Sequence, residues 1–258
     1  MAEVKQANAR NIQWSERQAE FLKEIEAGQS VFLTGSAGTG KSAVISEVIR
    51  TYPAHSTSIT ASTGIVAVAL GGVTAHSFFM IGKGDDTVET LREDARGKVN
   101  SVNGSRLKRT RILILDEISM ISGDVLDKMD VVARVIRDEP NKPMGGLQMV
   151  FCGDFFQLPP VKARNFAFQS KCWAALKPKA IELDRIYRQK DDEFININQD
   201  LRYGICSPAS DARLKRCALV VLPPVNGIIA SKLHAARRDV DGENNDQLNK
   251  LSGPDIVI

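Results

Sequence analysis

The segment GSAGTGKS, running from Gly35 to Ser42, has the G-x-x-x-x-G-K-[ST] spacing of a phosphate-binding loop. Glycines at Gly35, Gly38 and Gly40 let the backbone turn tightly, so that the N–H groups around Ser36, Ala37 and Thr39 can face a polyphosphate, and a helix N-terminus behind them adds a favourable dipole. Lys41 is placed to reach β- and γ-phosphate oxygens, and the Ser42 hydroxyl to ligate Mg²⁺. Asp116 and Glu117 end a short apolar run. Two carboxylates at the carboxyl end of a parallel strand could hold Mg²⁺ through its waters (Asp116) and polarise an attacking water (Glu117). Two acids at a plain helix start would look the same on their own. In GDFFQLPPV, residues 153–161, Gln157 offers an uncharged amide that could bond a γ-phosphate or a water, on a loop stiffened by Pro159 and Pro160. A proline-rich turn with Phe155 and Phe156 packed into the core is the alternative.

These residues need a frame that gathers them. Residues 30–34 form an apolar run too short for a helix, followed by the glycine turn and a periodic segment at 43–52, the opening of an α/β unit. Similar runs at 56–60, 112–115 and 149–152, separated by helical stretches, predict a doubly wound, mainly parallel sheet. A helix is predicted at 15–27, with Ser15 and Gln18 in capping-box spacing, Leu22 and Ile25 apolar, and Gly28 as the stop. Another is predicted at 124–138, where Val125, Met129, Val132 and Ile136 share one face. The stretch 84–109, rich in charge, Gly, Asn and Ser, is expected to be a mobile surface excursion with a short helix near 88–95. A second unit is expected from Ile181. It would hold a helix at 191–202 with Phe194, Ile197 and Leu201 inward and Gly204 as its cap, and a strand at 227–233. A last helix at about 237–251 would carry Val240, Asn244, Leu248 and Leu251 on one stripe.

The chain has 258 residues, 43% hydrophobic and 25% charged, which fits a globular protein and excludes a disordered or collagen-like one. At about 100–200 residues per domain, that length suggests one large domain or one and a half smaller ones. Lys plus Arg is 34 against 31 for Asp plus Glu, a net +3, which permits a polyanionic partner without requiring one. Cys152, Cys172, Cys206 and Cys217 form no C-x-x-C pair, so reduced thiols are expected, without a zinc site or disulfide framework. There is no long apolar run for a membrane span, and MAEVKQANAR has no leader pattern, so an intracellular protein is expected.

Taken in order, TGSAGTGKS, ITASTGIVAVALGGVTAHSFF, LILDEISM, MVFCGDFFQLPPV and LDRIYRQ resemble the petite-integration-frequency (Pif) DNA helicases of superfamily one. The stretch ISMISGDVLDKMDVVARVIRD, residues 118–138, is similar to that family's own signature and separates it from the bacterial exonuclease-subunit relatives. The resemblance runs from about Trp14 to Asp255. It implies a RecA-like P-loop NTPase fold, ATP and Mg²⁺ as cofactors, and 5′-to-3′ translocation on single-stranded or forked DNA. It also implies work in DNA repair, recombination and telomere maintenance, in the nucleus or mitochondrion.

Carried onto this sequence, the resemblance makes residues 35–42 the nucleotide loop, Ser42 and Asp116 the metal site, and Lys41, Glu117 and Gln157 the groups that serve hydrolysis. Gln18 matches a glutamine that reads adenine, although its capping-box position accounts for it equally well. Arg188 matches an arginine that reaches the γ-phosphate from the second RecA-like domain, where a planar guanidinium would stabilise spreading charge. A surface ion pair with Asp184 or Asp192 is its alternative. Single-stranded DNA would run over Ser62, Thr63, Gly64, Thr74 and His76, through phosphate and sugar contacts that ignore sequence. His76 could instead be a core histidine, and the run at 106–111 (RLKRTR) either a guide for a phosphate backbone or a solvated edge.

Where the family's motor has two complete RecA-like domains, the divisions expected here are a tail at 1–13, a first RecA-like domain at 14–180 and an incomplete second one at 181–258. The roughly 75 residues of the latter fall short of a usual domain of about 100–150. The strand at 227–233 would then have unpaired edges. The family's accessory β-barrel, its T-I-H-K-type motif and its last arginine motif have no counterpart in these 258 residues. Three readings follow: a fragment or truncated form of a helicase; a DNA-stimulated ATPase or single-strand-binding module that does not unwind; or a P-loop protein whose ligand is not DNA. No oligomeric state follows from the sequence.

Overall fold

A computed structural model describes residues 12–160, 165–226 and 230–251. Its strands are β1 (Val31–Gly35), β2 (Thr57–Ala61), β3 (Val73–Thr74), β4 (Ile112–Asp116), β5 (Gln148–Cys152) and β6 (Lys179–Leu183). They form one sheet in the order β3-β2-β4-β5-β1-β6, and every pairing is parallel. The helices are α1 (Glu16–Glu26), α2 (Lys41–Thr51), α3 (Gly64–Ala69), α4 (Ala75–Phe78), α5 (Val88–Lys98), α6 (Val102–Arg109), α7 (Gly123–Arg137), α8 (Lys171–Leu176), α9 (Asp192–Arg202), α10 (Pro208–Ala218) and α11 (Arg237–Leu248).

A parallel sheet must be covered on both faces, and the two-residue period of its strands divides their side chains between two cores. Ile112, Ile114, Val150 and Cys152 join Phe21 and Ile25 of α1 and Val44, Ile45 and Val48 of α2. Leu113, Leu115, Met149 and Phe151 join Leu91 and Ala95 of α5, Leu107 of α6, and Met129, Val132 and Ile136 of α7. The capping box at α1 forms as its spacing predicts: the Ser15 hydroxyl accepts from the Gln18 N–H (3.3 Å), and the Ser15 N–H donates to Gln18 Oε1 (3.1 Å).

Four expectations are corrected. Residues 84–109 carry α5 and α6, not an excursion with one short helix. Thr87 and Ser101 cap these helices, and Leu91, Ala95 and Leu107 are buried. Three apolar anchors among many charges suffice because the helices need to cover only one flank of α7. In α9 only Ile197 turns inward; Phe194 is 45% and Leu201 44% exposed. In α11 no residue is buried, so Val240 and Leu248 do not form a packed stripe. Of the strand expected at 227–233, residues 227–229 lie outside the described residues and 230–233 are not in a strand. Residues 1–11 of the expected tail, and Val161 of the 153–161 segment, also lie outside them.

The chain divides into two compact units, residues 1–205 and 206–258. β6 spans the boundary expected near 181 and pairs with β1 along its whole length, from Val31 opposite Lys179 to Gly35 opposite Leu183. The first unit therefore includes β6, the segment carrying Arg188, and α9. The second holds α10, capped by Ser207, and α11. Among the described residues no helix is long and apolar enough to cross a membrane.

Candidate nucleotide site

Strand order brings the site together. β5 lies between β1 and β4, so the carboxyl ends of these three neighbours place the glycine loop, the 153–157 segment and Asp116–Glu117 side by side. The Gly153 N–H donates to the Leu33 carbonyl (3.1 Å), which ties the exit of β5 to that of β1. In the loop, Gly38 has φ +84° and Gly40 has φ +89°, left-handed values that favour glycine. Space favours glycine at Gly38 as well, since a Cβ there would lie 2.7 Å from Arg188 Cβ; one on Gly40 would meet the end of the Gln18 side chain, Nε2, at 2.7 Å, which could shift. Lys41 Nζ donates to the carbonyls of Gly35 (2.6 Å) and Ser36 (3.0 Å), so its ammonium is held across the loop.

The loop borders a cleft of about 410 Å³ that is also lined by Lys41, Ser42, Glu117, Gln157, Tyr187 and Arg188, a volume suited to a small-molecule ligand. Residues from the segments that follow β1, β4, β5 and β6 thus converge on one opening. Asp116 does not line the cleft itself; its Oδ1 accepts the Glu117 N–H (2.9 Å) at the end of β4. Glu117 has a left-handed backbone (φ 54°, ψ 46°), uncommon for a non-glycine residue. Burial, and then the neighbouring Asp116, push its carboxyl above the ordinary value, against the pull of Lys41. Arg188 is exposed to the cleft and takes part in no ion pair with Asp184 or Asp192.

Gln18 is buried behind the loop, with Oε1 engaged by the Ser15 N–H and Nε2 donating to the Thr39 carbonyl (3.4 Å). Ser62, Thr63 and Gly64 follow β2, while Thr74 ends β3 and His76 lies in α4, so all five sit along the same carboxyl edge but outside the cleft. The Ser62 N–H donates to the Asp116 carbonyl (3.2 Å), joining that edge to the carboxylate pair. Thr74 Oγ1 caps α4 through the Ser77 N–H (3.2 Å). His76 is half-buried, and burial lowers its pKa. In the basic run, Arg106 lies over the Phe78 ring (5.4 Å), a packing role for that member.

Tyr187, whose N–H donates to the Gly38 carbonyl (2.8 Å), does not stand out in the sequence, and neither do Asp154 and Arg202. Phe155 packs among Phe32, Phe168 and Trp173, whereas Phe156 is 58% exposed and carries the Arg202 guanidinium over its ring at 4.6 Å. An aspartate two residues after a buried strand was the one available signal for Asp154.

A glycine loop between β1 and α2, with acids and a glutamine on the neighbouring strand ends, defines a RecA-like P-loop NTPase fold. The chain belongs to the PIF1-like helicase family, which it matches over residues 13–209. It is 39% identical to the ATP-dependent DNA helicase PIF1 of Candida albicans over 276 aligned positions, covering 100% of this chain and 30% of that one. Against the human protein of the same name it is 39% identical over 248 positions, 93% of this chain and 37% of that one. The crystal structure of Pif1 helicase from Candida albicans superposes with a TM-score of 0.85 at 40% identity, covering 94% of this chain and 56% of that one. The structure of Pif1 helicase from Bacteroides in complex with ADP-AlF3 and ssDNA gives a TM-score of 0.76 at 26% identity, covering 94% and 58%. This chain therefore spans between 30% and 37% of the length of those two curated relatives.

Proposed function

We propose that the chain binds and hydrolyses ATP in this cleft, that single-stranded DNA accelerates the turnover, and that the activity serves a DNA helicase motor. The observation that carries the reading is the convergence of the glycine loop, Glu117, Gln157 and Arg188 on one opening. In this reading the loop N–H groups and Lys41 bind the triphosphate, Glu117 accepts a proton from the attacking water, Gln157 orients that water, and Arg188 meets charge on the transferring phosphoryl group. The raised Glu117 pKa suits a general base. Mg²⁺ fits the donor set, since the Ser42 hydroxyl and the Asp116 carboxylate are hard oxygen ligands; when bound it would neutralise phosphate charge. An adenine contact by Gln18 would exchange its bond to Thr39 for one to the base.

The DNA track is proposed along Ser62, Thr63, Gly64, Thr74 and His76. The bond from Ser62 to Asp116 would link strand occupancy to the carboxylate pair. The Bacteroides relative crystallised with ADP-AlF3 and ssDNA supports both ligands for this chain. A 5′-to-3′ direction, roles in repair, recombination and telomere maintenance, and work on nuclear or mitochondrial DNA belong to the same proposal.

Steady-state ATPase assays with and without single-stranded DNA test it. Lys41→Ala is expected to abolish binding or turnover, and Glu117→Gln to keep ATP binding while slowing hydrolysis by roughly 10²- to 10⁴-fold. Turnover indifferent to DNA would refute the DNA link, and full-speed Glu117→Gln would remove that residue from its role. Unwinding of a forked duplex separates a helicase from an ATPase that only binds single strands.

A further inference from the structure

Asp154, the second residue after β5, is 1% exposed and meets Arg202, the last residue of α9, whose side chain is 9% exposed. The contact is bidentate, with Arg202 Nε donating to Oδ2 (2.8 Å) and Nη2 to Oδ1 (3.0 Å). The guanidinium also lies over the Phe156 and Tyr203 rings, at 4.6 and 5.2 Å, and Nη1 donates to the Tyr203 hydroxyl (2.9 Å). A pair this deep costs desolvation that its attraction barely repays, so stability alone is a poor explanation for it.

What the pair touches is more informative. Asp154 accepts the Phe156 N–H (3.1 Å), and its Oδ2 faces Gln157 Nε2 at 3.5 Å. An ionised carboxylate can only accept, so it turns the amide nitrogen of Gln157 toward itself and leaves the amide oxygen for another partner. On the other side, α9 reaches the glycine loop, because Gln199 Nε2 donates to Ser36 Oγ (3.0 Å).

We propose that Arg202 is a positioning residue. Through Asp154 it sets the orientation of Gln157 at the cleft, and it fastens the 153–157 segment to the same helix that holds Ser36. This rests on the ATPase reading of the cleft. Arg202 touches no reacting group; its effect passes through Gln157. Lysine keeps the charge but loses the two-pronged geometry, so Arg202→Lys loosens the amide.

The test is a double-mutant cycle on the full chain, using Arg202→Lys, Gln157→Ala and both together, with kcat and KM for ATP as readouts. Arg202→Lys is expected to lower kcat roughly 10- to 100-fold, the scale of a misplaced catalytic group, with KM changed less than about threefold. The double variant is expected to be no slower than Gln157→Ala alone. Asp154→Asn, similar in volume but uncharged, is expected to behave like Arg202→Lys if the lysine variant folds poorly. Losses that multiply in the double variant, or an unchanged kcat in Arg202→Lys, would overturn the proposal. Hydrogen exchange supplies a readout independent of turnover: the Phe156 and Gln157 amides should exchange faster in Arg202→Lys, and unchanged exchange would overturn the latch. A wild-type chain without ATPase activity would refute the reading of the cleft, while the exchange experiment would still decide the latch.

Discussion

Arg188 shows what a residue's surroundings can decide. In the sequence it sits among charges where a surface ion pair is the ordinary outcome, yet it borders the cleft, its Cβ so close to Gly38 that no side chain fits there. Arg188→Ala is therefore expected to lower single-turnover hydrolysis by about 10³-fold or more while ATP binding persists, the range of an arginine that stabilises the transferring phosphoryl group. A loss below about threefold would return Arg188 to the protein surface. The glycine loop was legible because its chemistry is contiguous and lies between a strand and a helix. The Asp154–Arg202 pair was not: its partners are 48 residues apart, and an arginine at the end of a charged helix reads as solvated. The left-handed backbone of Glu117 was equally hidden. Such a conformation costs about 1–3 kcal/mol and persists where its surroundings impose it, here at the residue assigned to the attacking water.

Elements were legible in proportion to how fully they are buried. β2, β4 and β5 are almost wholly buried and β1 is buried at every other position; all four were expected within a residue or two, β2 despite the hydroxyls of Thr57, Ser58 and Thr60. β3 has only two residues, and β6, with only Ile181 and Leu183 buried, reads as half polar because it is an edge strand. The junction below α7 depends on one side chain. Arg137 donates to the carbonyls of Leu107 (2.8 Å), Lys108 (3.1 Å), Thr110 (2.7 Å) and Gly145 (2.6 Å), joining the end of α6 to the turn before β5. Burial lowers its pKa, and no carboxylate accepts from it there. Arg137→Met keeps most of the stem but leaves those carbonyls short of donors. The expected cost is about 2–4 kcal/mol in a urea titration, with nucleotide affinity unchanged. A midpoint within error of the wild type would show that water replaces the guanidinium at no cost.

For the molecule as a whole, sheet order was the part the sequence could not supply. The strand runs could be counted along the chain, but their adjacency, with β6 added beside β1, comes from long-range packing, and it places the whole candidate site within residues 1–205. The second unit is built differently. α11 buries no residue, α10 buries only Ser210, and Leu219, Val221 and Leu233 are 82%, 90% and 98% exposed. With so little apolar surface removed from water, this unit lacks the burial that offsets chain entropy, and its opening should cost far less than that of the sheet. Limited proteolysis is expected to cut first within 206–251, and amides of α11 to exchange before those of β1, β4 or β5. Deleting 206–258 is expected to leave ATP affinity within about threefold of the full chain, because every residue lining the cleft is retained. A larger loss of affinity would show that residues beyond Ile205 contribute to the cleft, and slow exchange in α11 would show that the second unit gains stability from outside its own packing.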